Sequence, residues 1–298
     1  MDTEGAPAPR HLPGHIAAAL ARAGEGSDSA GQPWAGRDLS GEGNSLHQFD
    51  ADDGAADPGV EAAIAALASG EAGGGTGTGT EGAVFASLAT ARVFVPVVAS
   101  LAEGALGAHG FAEDKEADMA LVTLTAPDGR KALPVFTSVA RLEAWHAEAR
   151  PVAVFAPRAA LSAVSEGAEL LVIDPGADVT FVLRRPAVWA LAQQRPWTPS
   201  YRDASLAEVV SEAIEDLEPV RAARLEPGKG VATRDRAGRV VPGGGPGPEL
   251  RIVLELAPGL PADALREMVT ELNGRLAGSE RFAEAVDSIE ISLRAFGD

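Results

Sequence analysis

The sequence predicts a mixed-sheet α/β unit followed by a small α+β unit, with a largely disordered N-terminal arm in front of them. Three observations carry that prediction. Short apolar strand patterns interleave with amphipathic helix patterns over residues 83–200. A second set of helix and strand patterns fills residues 201–298. Residues 1–82 instead combine turn-forming composition with 13 acidic residues against three arginines. The 298 residues suffice for two medium domains, and 46% hydrophobic content is ample for their cores.

The arm holds two short helical patterns. One covers residues 15–23, with Ile16 and Leu20 four apart; the other covers residues 60–68, with Val60, Ile64 and Leu67 on one stripe. Isolated helices this short are marginal in water, so neither is expected to bury much area. The tract GGGTGTGTEG from Gly73 is a flexible linker by composition. Deleting residues 1–82 is therefore expected to leave a cooperative fold. Trp34, with Pro33 before it and Arg37 after it, gains burial energy only if something covers it. The cover is either the chain's own folded part or a partner protein, and Trp34 with Arg37 is the candidate partner-binding pair.

In the first folded unit, residues 93–98 form an apolar strand whose Pro96 implies an edge, a bulge or a strand end. Residues 119–136 read as a hairpin about the turn Ala126-Pro127-Asp128-Gly129. Ser138 caps a helix that carries Val139, Leu142 and Trp145 and stops at Pro151. The strand VAVFA follows, then a helix from Pro157 carrying Leu161 and Val164, with Gly167 just past its end. ELLVI is a strand. Asp174-Pro175-Gly176-Ala177 then turns the chain into VTFVLR, with Pro and Gly placed for a type II turn. A helix from Pro186 closes the unit.

The second unit opens with a capping box, Ser205 to Glu208, and a helix bearing Leu206, Val209, Val210, Ile214 and Leu217. Strands at residues 220–225 and 250–256 are separated by Gly- and Pro-rich loops. The clearest amphipath covers residues 262–276, with Glu271 and Arg275 spaced for an ion pair. Ile289, Ile291 and Leu293 alternate as a last strand.

Composition removes several classes of function. The chain has no cysteine, which excludes disulfide scaffolds, thiolate metal sites and thiol catalysis. A formal charge of −18, with only three lysines (Lys115, Lys131, Lys229), argues against nucleic acid. The first residues lack the basic and apolar regions of a secretory signal. The longest apolar run, residues 93–101, contains a proline and falls far short of the ~20 residues that a membrane span needs. A cytoplasmic protein without membrane attachment is the expectation.

The middle of the chain resembles the SseB family, named for enhanced serine sensitivity, and most closely its actinobacterial members. The likeness rests on Val93-Phe94-Val95-Pro96-Val97-Val98, Leu133-Pro134-Val135-Phe136-Thr137-Ser138 and Leu171-Val172-Ile173-Asp174-Pro175-Gly176. It covers residues 85–195 well and the C-terminal unit more weakly. Asp-Ser-Ala-Gly-Gln-Pro-Trp-Ala-Gly-Arg from Asp28 resembles the family's arm. The resemblance implies a bacterial cytoplasmic domain without established catalytic residues. It makes Pro96, Pro134, Phe136, Thr137, Ser138, Asp174, Pro175 and Gly176 family-motif positions, read here as structural. Asn is as much expected at 174 as Asp, and the two should serve the turn equally.

Other apparent motifs fail in context. Gly77-x-Gly79-x-x-Gly82 lacks the preceding strand that a dinucleotide site requires. In the acidic loop from Asp50 to Glu61, the calcium-loop frame that starts at Asp50 has Ala55 at the glycine position, and the frame that uses Gly54 starts at Phe49 and ends at Val60. Ser165 sits at a helix end rather than on a strand-to-helix elbow. Gly228-Lys229-Gly230 reads as a hairpin turn, not a phosphate loop. The five histidines form no ligand set, since Pro13 and Gly14 separate His11 from His15. No catalytic residue, metal or cofactor is assigned. The expected function is non-catalytic: a protein-interaction or regulatory role, tied to serine metabolism by the family name alone, with an unknown protein partner. The alternative is a small-molecule sensor or enzyme with a pocket between the two folded units.

Overall fold

The architecture is taken from a computed structural model, which describes residues 49, 51–69, 80–101, 117–242, 245 and 247–296. Trp34, Arg37, the helical pattern at 15–23 and most of the glycine tract lie outside these residues. The first element among the described residues is helix α1 (Pro58–Ser69). Asp57 caps it, its Oδ1 accepting from the backbone N–H of Gly59 at 2.8 Å and of Val60 at 3.1 Å. Val60 and Leu67 are fully buried in the larger core. The expectation that residues 1–82 bury little apolar area therefore fails for α1. Its stripe is short, but neighbours cover it, and tertiary packing outweighs the weakness of an isolated helix. Helix α2 (Glu81–Leu88) follows, capped by Thr80, and adds Val84, Phe85 and Leu88 to the same core.

Strand β1 (Arg92–Leu101) lies between β2 (Ala117–Leu121) and β5 (Arg150–Phe155), antiparallel to both. Pro96 is thus in a central strand, not at an edge or a strand end. The ladder tolerates it for a stated reason. Phe94 exchanges both backbone hydrogen bonds with Phe136, at 2.7 and 2.8 Å, as a single antiparallel bridge. In that register the next bonding pair is Pro96 with Pro134, and neither has an N–H to give. The ladder stops there, and the Pro96 carbonyl accepts from Val122 N–H instead, at 3.2 Å. One proline pair thereby lets β1 change neighbours.

The second sheet has the order β3 (Leu124–Thr125), β4 (Lys131–Val135), β6 (Leu170–Ile173), β7 (Phe181–Leu183). β4 and β6 are parallel; the other pairs are antiparallel. The expected hairpin over 119–136 is thus split. Its turn joins β3 to β4, while β2 pairs with β1 in the first sheet. Helix α3 (Val139–Trp145) is capped by Ser138 and ends at Trp145, short of Pro151. Helix α4 (Ala156–Ser165) buries an alanine face, Ala156, Ala159, Ala160 and Ala163, and leaves Leu161 and Val164 exposed. Small residues let α4 pack closely where the apolar stripe alone suggested the other face. Helix α5 (Arg185–Ala192) completes the core with Ala187, Val188 and Leu191.

After a 3-10 turn at Ser200–Arg202, helix α6 (Ala204–Ile214) is capped by Asp203, whose carboxylate accepts from Ser205 N–H at 2.9 Å. The cap falls two residues before the expected Ser205. Strand β11 (Leu250–Leu256) is central, antiparallel to β8 (Val220–Pro227) and parallel to β12 (Ile289–Ala295). Helices α6, α7 (Ala262–Ala277) and α8 (Glu280–Ala285) cover it through Leu206, Val210, Met268, Leu272, Leu276 and Phe282. Glu271 and Arg275 pair at 2.7 Å as expected. The segment between β8 and β11 is more than a loop: it forms a hairpin of β9 (Ala232–Arg234) and β10 (Val240–Pro242), whose Val241 enters the larger core beside α1. Residues 53–298 accordingly form one unit.

Candidate functional site

β4 and β6 run parallel and end level, with Val135 beside Ile173. Two motif segments, Phe136-Thr137-Ser138 and Asp174-Pro175-Gly176, leave the same sheet edge there. The carboxyl ends of adjacent parallel strands are where open α/β sheets place ligand-facing groups. Asp174 is almost fully buried, and its backbone is left-handed, φ +51°. A non-glycine residue in that conformation carries strain that its surroundings must hold. Thr137 supplies the hold. Its N–H donates to Asp174 Oδ1 and its hydroxyl to Oδ2, both at 2.8 Å. Arg141 of α3 adds a guanidinium 3.3 Å from Oδ2, donates to the Thr137 hydroxyl, and reaches Glu61 of α1 at 3.0 Å. Burial raises the Asp174 carboxyl above its ordinary value; the Thr137 bonds and Arg141 oppose that.

The turn is of type II as expected: Ala177 N–H returns to the Asp174 carbonyl at 3.1 Å, and Gly176 has φ +81°. The equivalence expected of Asn and Asp at 174 does not follow from this geometry. The side chain grips Thr137 and Arg141 rather than capping its own turn. Phe136 is fully buried and meets Trp145 with ring centroids 5.3 Å apart. Pro134 lies within β4 opposite Val172, and Ser138 caps α3. The structure thus gathers seven of the eight motif positions along one strand pair and its edge. Pro96 is on neither strand of that pair; it stands on β1, across from Pro134. A cleft of about 400 Å³ opens in front of the edge, bounded by Arg141, Trp145, Pro175, Gly176, Asp178 and Arg236. Arg236 donates to the Gly176 carbonyl at 2.8 Å.

Residues 60–190 match the family model for the SseB protein N-terminal domain. That stretch is an SseB N-terminal domain. No curated protein and no solved structure matches it. The SseB match begins inside α1 and ends inside α5, and so takes in the helix that packs Val60 into the core. Residues 201–298 lie outside it.

Between the SseB domain's core and the C-terminal core lies a second polar cluster that spacing alone did not signal. Arg184 is 9% exposed. It donates to the carbonyls of Gly230, Gly245 and Gly247 at 2.6–2.9 Å and lies 3.2 Å from Asp287. Asp287 also accepts from Arg130 Nη1 through both oxygens, at 2.8 and 2.9 Å. Glu249 takes the Ser200 hydroxyl at 2.7 Å and the Asp287 N–H at 3.0 Å; burial raises its carboxyl. Tyr201 donates to Glu81 of α2 at 2.7 Å. Burial is the main cause that lifts Glu81 to about 7, and burial likewise raises the Tyr201 phenol. The glycine motif at 228–230 belongs to this region. A Cβ at Gly230 would meet the Gly247 carbonyl at 2.2 Å, so these glycines permit a close backbone contact rather than a phosphate loop. Their signal in the sequence was composition, which does not reveal the partner strand.

Beside this cluster, a cavity of about 480 Å³ separates one sheet face of the SseB domain from Gly245 and Gly247. Its walls are largely aliphatic, from Leu124, Ala132, Leu170, Val172 and Val182. Among the described residues, no group of three or more His, Asp or Glu side chains is placed to hold a metal ion, and no helix is long and apolar enough to cross a membrane.

Proposed function

We propose that the chain is a non-catalytic cytoplasmic binding protein with a regulatory role, and that the cleft in front of the motif edge is its recognition surface for a protein partner. The observation that supports this reading is the state of Asp174. Thr137 bonds both of its carboxylate oxygens and Arg141 stands beside one of them, so the group is engaged in holding the cleft's edge rather than set out toward a substrate. Around it the cleft offers an aromatic ring, two guanidinium groups and a rigid turn, which suit recognition. The link to serine metabolism comes from the family name alone, and Trp34 with Arg37 is proposed as a further anchor for the same partner. The test compares capture by the full chain with capture by Arg236→Glu and Trp34→Ala variants of unchanged melting temperature. Loss of the same captured protein in Arg236→Glu supports the cleft. Turnover of a metabolite by the purified chain overturns the non-catalytic reading.

A second reading has its own observation: the aliphatic cavity between the SseB domain and the glycine loop fits a small-molecule sensor. Saturable binding of a small molecule, lost when the cavity is filled by substitution, is its test.

A further inference from the structure

The cavity carries a charge pair on its wall, and we propose that it binds a small zwitterion with an apolar body, the chemical class of the apolar α-amino acids. This rests on the small-molecule reading above and gives it a ligand class.

The aliphatic walls set the body of the ligand. Leu124, Ala132, Leu170, Val172 and Val182 offer no hydrogen-bonding side chain, and Thr125 is at the exposed rim, so a hydroxyl buried among them, such as that of serine, would lose its water without replacement. The head is set by Arg130 and Asp128, which also line the cavity. Arg130 is held from behind, its Nη1 on both oxygens of Asp287. Its Nε and Nη2 edge points the other way, and that edge is the fork that takes a carboxylate with two parallel bonds. At present Asp128 fills the fork with one oxygen, Oδ2, at 2.8 Å from each nitrogen. The other oxygen accepts from Arg130 N–H at 3.1 Å, and the Asp128 side chain is about half exposed. Asp128 can therefore swing outward on its turn while keeping its backbone bond.

A ligand carboxylate then takes the fork, and Asp128 takes the ligand's ammonium. Arg184, the other cation on the cavity wall, is already engaged by three carbonyls and Asp287. Charge balance selects the zwitterion. A lone carboxylate would face Asp128 with nothing to offset it, and a lone ammonium would face Arg130.

The test is titration calorimetry on the full chain with L-leucine, L-phenylalanine, isocaproate (no amine), isoamylamine (no carboxylate) and L-serine. Leucine or phenylalanine should bind saturably at one site. The two single-charge analogues should bind roughly tenfold or more weakly, and serine should give no heat. Val172→Trp should abolish binding with the circular dichroism and melting temperature kept. Thr125→Trp, at an exposed rim position, serves if Val172→Trp fails to fold. Asp128→Asn should weaken leucine but not isocaproate. Equal affinity for leucine and either single-charge analogue overturns the zwitterion assignment and leaves the sensor reading standing. No heat with any of the five compounds overturns the assignment as well.

Discussion

Thr137 gives its backbone N–H to one carboxylate oxygen of Asp174 and its hydroxyl to the other, each at 2.8 Å, across the ends of two parallel strands. The pair fixes a strained left-handed residue at a buried position. Thr137→Val keeps the shape but removes the hydroxyl, leaving Asp174 Oδ2 to Arg141 alone. It should destabilise by about 1–3 kcal/mol, read from the urea midpoint at constant m. Asp174→Asn should cost about as much, because its amide N–H groups would confront Arg141 and leave the Thr137 hydroxyl without an acceptor. A wild-type midpoint in both variants would show that the bonds contribute nothing net.

Gly176→Val isolates backbone strain. A Cβ at this position would lie 3.6 Å from Trp145 Cδ1, an ordinary contact, so space is available and only φ +81° is unfavourable. The expected cost is at least ~1 kcal/mol. Gly176→Asn, which tolerates this region better, should cost less. Equal losses in the two variants would point to a steric cause instead.

The folded unit begins earlier than composition suggests, and truncation measures where. A chain starting at residue 53 retains Asp57, α1 and its buried Val60 and Leu67. It should melt like the full chain. A chain starting at residue 83 loses both side chains from the core, worth about 3–6 kcal/mol together, as well as the start of α2. It should melt well below the first or lose its cooperative transition. Matching melting temperatures would return α1 to the arm.

These cases mark what was legible in the sequence. Strands β4, β6 and β11 and helix α7 were visible because their apolar periods are local properties. The motif turn was visible because Pro and Gly dictate its geometry at i+1 and i+2. What stayed hidden depends on partners far along the chain. Pro96 implied an edge, a bulge or a strand end, yet it stands in a central strand because Pro134 occupies the next bonding position on the neighbouring one. Leu161 and Val164 looked like a core stripe, but alanines on the opposite face of α4 allow the closer approach. Asp174 read as a turn residue because its bond to Thr137 spans 37 residues. Arg184 gave no signal at all: its acceptors are backbone carbonyls in glycine loops some 46–63 residues away.

Stability should fall as pH rises through the range set by Glu81. Its carboxyl titrates near the ordinary value of 4.5 when unfolded and at about 7 when folded, because burial penalises the charge. The folded state therefore holds the extra proton between those values. Stabilisation is complete below about 4.5, declines as pH rises, and is lost above about 7, an effect of order 3 kcal/mol. Asp174 and Glu249 are shifted in the same direction and add to the slope. Glu81→Gln mimics the protonated form and can still accept from Tyr201. It should flatten much of the decline and raise the melting temperature near pH 8. An unchanged slope in Glu81→Gln would remove Glu81 as its source.

Arg184 should be the costliest single side chain to remove from the boundary between the two cores. It is 9% exposed, and its guanidinium satisfies three carbonyls as well as one oxygen of Asp287. Arg184→Ala leaves those carbonyls to find water or go unpaired, and Asp287, paired with both arginines in the native chain, keeps Arg130. Breaking a buried pair from one side costs about 3–5 kcal/mol. Arg184→Lys keeps the charge, but its compact ammonium cannot span acceptors arranged for a planar fork, so it should recover only part of the loss. Hydrogen exchange supplies the discriminating readout. The amides of Gly228 and Gly230, bonded to Glu249 and Pro248 at 2.8 Å, should lose protection in Arg184→Ala, while β4 and β6 amides keep theirs relative to global stability. Full rescue by lysine would mean that charge alone matters there. Uniform loss of protection across both cores would mean that Arg184 supports the whole fold rather than the joint between its halves.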